Sequence, residues 1–211
     1  MPFRSTSARR NCKLLRLSAC PLGVLFLLSF ITAHAIGEPV MILDPHFYHT
    51  PISLPIAGSS RTVIGFYDEA KDGTVTPISA ASLAEHPLPE LKRLALAHAR
   101  GLLQHVTPKI SRDKNGVAID IRIESTDPSL SSLVLLPGFA DQFVDILGKN
   151  CVISIPNRQV IFLFPRIGGD IEQLSYALRS FYHNNAWPVS TELFEWRNGA
   201  LFATRDLESA Q

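Results

Sequence analysis

The sequence predicts an α+β fold, a single domain with helices packed on a mixed or antiparallel sheet. Three observations point there. Residues Val117 to Glu124 alternate apolar with polar side chains, the period of a strand with one wet face. Leu88, Leu91, Ala95, Ala99, Leu102 and Val106 instead recur at helical spacing, with Leu94 and Leu103 beside them. Asn198-Gly199, between two apolar runs, is a hairpin signal, because both positions tolerate positive φ. Helices and strands in this order build a helix layer on a sheet.

The first 35 residues read as an export signal and not as part of the fold. Arg4, Arg9, Arg10, Lys13 and Arg16 form a positive start with no acidic residue. The apolar run from Ala19 to Thr32 has about 14 residues, whereas a bilayer span needs roughly 20. Ala33-His34-Ala35 is the small-x-small pattern of a cleavage site. Leu17-Ser18-Ala19-Cys20 has the letters of a lipoprotein box, but the apolar residues follow its cysteine. Arg9-Arg10 lacks the context of a twin-arginine signal. The expectation is a cleaved general secretory signal and a periplasmic or secreted protein. The only membrane attachment would be this segment, left uncleaved.

Setting the segment aside changes the charge. It takes five basic residues and no acidic one, so 20 against 19 becomes 15 against 19, a net charge of −4. Such a domain carries no general field for nucleic acid or anionic membrane. Cys12 and Cys20 leave with it, so Cys151 has no partner for an internal disulfide. The roughly 176 remaining residues suffice for one core without metal or disulfide staples.

Residues 36–60, with Pro39, Pro45, Pro51 and Pro55, read as an extended segment over the surface, since proline lacks a ladder donor. Residues 61–205 form the domain, and 206–211 a tail. Arg61 to Asp68 is a strand, Lys71-Asp72-Gly73 a turn, and Thr74 to Ile78 the returning arm. A short helix follows from Ser79, ended by His86-Pro87. The long helix is closed by Pro108, and Ser111 to Lys114 is a polar loop before Asn115-Gly116. Leu133 to Leu136 is apolar on every side and is broken by Pro137-Gly138. A helix from Phe139 to Leu147 stops at Gly148. Val152 to Ile155 and Val160 to Phe164 are strands joined by Pro156-Asn157-Arg158-Gln159, the second apolar enough to be central and covered on both faces. Asp170 caps a last helix whose stripe is Ile171, Leu174, Leu178, Phe181 and Tyr182. Leu193 to Arg197 and Ala200 to Ala203 are the arms of the terminal hairpin.

Several of these segments resemble the YtpQ-like family of uncharacterised bacterial proteins. The first half matches in Val63-Ile64-Gly65-Phe66-Tyr67-Asp68 and in a helix ending Ala97-His98-Ala99-Arg100-Gly101. The second half matches from Pro137-Gly138-Phe139 through Pro156-Asn157-Arg158-Gln159 to Trp187-Pro188-Val189-Ser190. The weight lies in order and spacing over residues 60–204. The resemblance implies a small α+β domain and brings no activity, cofactor or catalytic residue. Its members are usually read as cytoplasmic, so the export signal is a departure.

Candidate chemistry is sparse. Asp44, His46 and His49 are the right types for an open zinc site, but Pro45 and Pro51 keep the segment extended and turn the imidazoles apart. The preferred reading is a polar loop, with no metal and no cofactor. Gly168-Gly169 ahead of Asp170 reads as a capped turn, because the aspartate would repel an anion. Ser111 and Lys114 have Ser-x-x-Lys spacing without the helix that motif needs. Cys151, before an apolar strand, reads as a buried hydrophobe. Trp187 and Trp196 read as buried anchors rather than exposed patches. Asn157 and Arg158 are the ligand-binding candidates. They sit in a turn at a sheet end, where a basic side chain meets an anionic ligand or is merely solvated.

These residues lead to an exported, non-catalytic module binding an unknown protein or small ligand in the cell envelope. The alternative is an envelope hydrolase with a dispersed Ser/His/Asp site drawing on His98, His105 or His183. His98 and His105, seven apart, are expected to share one helix face.

Overall fold

The structure, a computed structural model, describes residues 37–48, 50–149, 151–166 and 171–208, with 171–173 described by backbone only. The leader 1–35, His49, Gly168-Gly169, Asp170 and the end of the tail lie outside the described residues. Among those described, no helix is long and apolar enough to cross a membrane.

Two antiparallel sheets organise the chain. In the smaller one, β3 (Thr62–Glu69) is central. β1 (Glu38–Pro45) pairs with its full length, from Glu38 opposite Glu69 to Pro45 opposite Thr62. β2 (Ser53–Pro55) and β4 (Val75–Pro77) share its other edge. The larger sheet contains β5 (Lys109–Arg112), β6 (Ala118–Glu124), β7 (Val152–Asn157), β8 (Val160–Phe164), β9 (Glu192–Arg197) and β10 (Ala200–Asp206). Its order is β10-β9-β7-β8-β6-β5, so the apolar β7–β8 hairpin is central.

Burial follows the pleat. Ile153, Ile155, Ile161 and Leu163 face one core, with Leu133, Phe139 and Ala99. Val152, Val160, Phe162 and Phe164 face the other, with Leu178 and Leu174 from α4 (Ile171–His183). Both faces of the hairpin are therefore dry, as its unbroken apolar run requires. Truncating Leu163, which is fully buried, to alanine would cost about 2–5 kcal/mol. The long helix is α2 (Leu88–Leu103), which follows the single turn α1 (Ser82–Glu85). It buries Leu91, Ala95 and Ala99, in contact with β1 and with the 3₁₀ turn Leu130–Leu135.

Four expectations change. Residues 36–60 are extended but not superficial: in β1, Pro39 to Pro45 are buried, with Met41 and Leu43 in the cores under α2. Its prolines are tolerated because β1 is an edge strand, where a missing N–H breaks no ladder. Ser111 and Arg112 belong to β5, not to a loop, and Ser111 Oγ donates to Asp120 across the hairpin at 3.0 Å. The helix expected over 139–147 splits into a 3₁₀ turn, Ala140–Phe143, and one turn of α-helix, α3 (Val144–Leu147), before Gly148 at φ 80°. His105 lies beyond the end of α2 and is exposed, so it shares no face with His98.

Candidate functional site

The β7–β8 turn builds a cleft. Asn157 turns inward, 2 % exposed, with its side-chain carbonyl accepting the Gln159 N–H at 2.9 Å. That bond shapes the turn, and Asn157 also lines a shallow cleft with Phe181 and Asn185. The Arg158 N–H donates to the Trp187 carbonyl at 3.0 Å, and Val189 N–H to Pro156 O at 2.9 Å. The strand-like segment after α4 is thereby fastened along β7, with Trp187 beside Arg158.

Arg158 is not a solvated turn residue. It is 9 % exposed, and its Nη2 lies 2.5 Å from Oδ1 of the fully buried Asp44 on β1. The hydroxyl of Tyr67, on β3, donates to the other Asp44 oxygen at 2.5 Å. Burial first, and then the Asp44 bond, raise the Tyr67 hydroxyl well above its ordinary pKa, so it remains a donor. The guanidinium carbon lies 5.5 Å from the Trp187 ring centre, 5.6 Å from that of Tyr67 and 5.8 Å from that of Tyr48, within cation–π range. Above it opens a cleft of about 440 Å³, walled by Tyr48, Trp187, Val75, Pro77 and the loop residues Thr126 and Pro128. Trp187 is 51 % exposed, contrary to the expected buried anchor. Trp196 is half-buried, and its Nε1–H donates to Val134 O at 2.9 Å.

A second cluster gathers Glu69 from β3, His98 from α2 and Asp127 from the loop after β6, with one ligand atom from each within 4.8 Å of the others. His98 Nδ1 is 3.0 Å from Glu38, and Nε2 is 3.2 Å from Ser129 Oγ and 3.4 Å from Glu69. Asp127 Oδ1 accepts from Ser129 N at 2.8 Å and from Ser129 Oγ at 2.6 Å. The Glu69 carboxyl is raised by burial, then by the charge of Asp127, with His98 opposing and Glu38 adding to the rise.

The remaining candidates stand apart. His46 is exposed in the turn after β1 and belongs to no metal-capable grouping of the described residues. His183 is exposed, its Nε2 3.0 Å from Glu208. Cys151 is 4 % exposed, and burial pushes its thiol up to about 11, away from nucleophile chemistry. A groove of about 280 Å³ between β2 and the β9–β10 turn is lined mainly by apolar residues such as Met41, Ile56 and Trp196.

Compared with protein-family models, with curated proteins and with solved structures, the chain shows no match. The site is therefore read from its own geometry. Arg158 was visible in the sequence because it interrupts an apolar hairpin. Asp44 stood out only as a metal candidate beside His46, and Tyr48, Tyr67, Glu69 and Asp127 had no local signal.

Proposed function

We propose that the protein is an exported, non-catalytic binding domain of the cell envelope, and that the cleft around Arg158 holds its ligand. The observation that carries this is the buried Asp44–Arg158 pair beneath aromatic walls. Taking two charges out of water is expensive, and an apolar pair of similar volume would stabilise as well or better. Such a pair at the floor of an open cleft fits a recognition role. Exposed Trp187 and Tyr48 add apolar surface at the rim, of the kind that marks an interaction site. A volume of about 440 Å³ is within the range of small-ligand pockets.

The charge balance narrows the ligand. Asp44 neutralises Arg158, so the floor does not call for an anion. It suits a neutral molecule with one flat face for Trp187 and an acceptor for the guanidinium, such as a sugar or an aromatic ring. The expected charge of −4 after removal of the leader agrees with a module that does not engage nucleic acid.

A hydrolase reading has one observation in its favour. Ser129, His98 and Glu38 are strung in the order of a nucleophile, base and acid. But Ser129 is fully buried, and its hydroxyl proton goes to Asp127, which leaves nothing to attack a substrate carbonyl. A serine-directed fluorophosphonate should leave the folded protein unlabelled.

A thermal-shift screen of neutral sugars, aromatic amino acids and short peptides tests the binding role. A cleft ligand raises the melting temperature of the protein and does so far less for Trp187→Ala. If no such compound shifts it, or the shift survives that substitution, the cleft is not the site.

A further inference from the structure

We infer that Glu69, His98 and Asp127 form a binding site for a divalent transition-metal ion of the zinc type, with Glu38 as the positioning residue for His98. Independent features converge on it. The three ligand atoms come from β3, α2 and the loop after β6 and lie within 4.8 Å of one another. Around a tetrahedral zinc ion with bonds of about 2.0–2.2 Å, ligand atoms stand ~3.3–3.6 Å apart, so atoms within 4.8 Å of one another need to close by at most ~1.5 Å around the ion.

The imidazole is oriented as metal-ligating histidines are. Its Nδ1 is 3.0 Å from the Glu38 carboxylate, and its Nε2 lies on the other side, 3.4 Å from Glu69 and 3.2 Å from the Ser129 hydroxyl that also bonds Asp127. A carboxylate on the outer nitrogen fixes the ring and makes the inner one a better ligand. Asp127 is held in the same way, with one oxygen fixed by two donors of Ser129.

Electrostatics asks for a cation. Glu38 and Glu69 are directly opposite on β1 and β3, an unfavourable cross-strand pairing of like charges. Oε2 of Glu69 is buried without a hydrogen-bond partner, beside the imidazole at 3.4 Å but out of hydrogen-bonding alignment. Among the described residues, His98 is the basic side chain within ion-pair distance of Glu69, and no lysine or arginine is. Two carboxylates and one imidazole thus share a partly buried space, with the exposed carboxylate of Glu38 at its edge. An imidazole with carboxylates selects zinc and its first-row neighbours over calcium or magnesium, which prefer all-oxygen shells.

The purified protein is treated with chelator, dialysed against zinc, freed of excess and analysed for bound metal, with melting curves taken alongside. The expected result is one zinc per chain and a melting temperature that rises with zinc. Glu69→Gln and Asp127→Asn, both near-isosteric, lose the metal and its thermal effect. Glu38→Gln keeps the stoichiometry and weakens affinity about 10–100-fold. His46→Ala binds as the parent does. Melting in chelator checks that each variant is folded. A parent protein that retains no zinc overturns the inference, as do Glu69→Gln and Asp127→Asn variants that retain it fully.

Discussion

Arg158 holds Asp44 across 114 residues of sequence, its Nη2 2.5 Å from an aspartate oxygen that water does not reach. The pair joins the turn of the large sheet to the edge strand of the small one, and it forms the floor of the cleft. Removing one partner leaves the other buried and uncompensated. Asp44→Ala should therefore destabilise the protein by about 3–5 kcal/mol, and Arg158→Met by a similar amount. Combining Asp44→Leu with Arg158→Met should recover most of that loss. Urea unfolding of the single and double variants measures the coupling.

Gly65 makes room for this arrangement. A Cβ there would lie 2.7 Å from Tyr67 Cε2 and 2.9 Å from Asp44 Oδ2. Both side chains are buried and cannot retreat cheaply. Gly65→Ala should cost about 1–3 kcal/mol by overpacking and should also weaken any cleft ligand. Unfolding curves and ligand-induced thermal shifts report the two effects separately.

Glu192 is a buried carboxylate held by hydroxyl and backbone donors. Its Oε2 is 2.6 Å from Ser59 Oγ and 2.7 Å from Thr62 Oγ1, and its Oε1 accepts from Ser60 N at 2.9 Å. The group fastens the loop before β3 to the start of β9. Glu192→Ala leaves these donors unmatched and should cost about 3 kcal/mol, while Glu192→Gln, which keeps an acceptor in place, should cost about 1. Denaturant midpoints distinguish the two.

Alkaline pH should weaken the fold from about pH 9 upward. Burial raises the Cys151 thiol from 9.0 to about 11 and also raises the Tyr67 hydroxyl from 10.0. Below pH 9 both groups are protonated in the folded and unfolded chains, and their contribution is complete. As pH rises further, the unfolded chain loses its protons first and gains relative stability. Urea midpoints at pH 8 to 11 should fall, and Cys151→Ala should flatten the first part of the decline. At pH 8 the native thiol should resist a maleimide that labels the unfolded chain.

What the sequence made legible was what is local. The alternation at Ala118 to Glu124, the apolar run Val160 to Phe164 and the stripe along α2 each fix an element within one window, and the α+β architecture follows. β1 was hidden because its prolines outweighed the four apolar residues Val40 to Leu43, a conflict resolved only by its edge position. The helix over 139–147 failed on its shortness, since four-residue turns gain little from cooperativity. The cleft was half visible: Arg158 stood out, whereas Asp44 and Tyr67 come to it from the small sheet and Trp187 from the segment after α4. Among the described residues His46 belongs to no cluster, whereas His98 gathers acids from three separate segments that no local pattern links.

Trp187 and Trp196 are the two tryptophans of the chain, so Trp196→Phe leaves a single reporter on the cleft wall. The fluorescence of that variant, titrated with a compound that stabilises the protein, tests the binding role most directly. A cleft ligand should change the emission saturably, with a midpoint matching the thermal-shift concentration dependence, and Arg158→Met should abolish the change. Emission that stays constant while the melting temperature rises would place the ligand elsewhere and contradict the account.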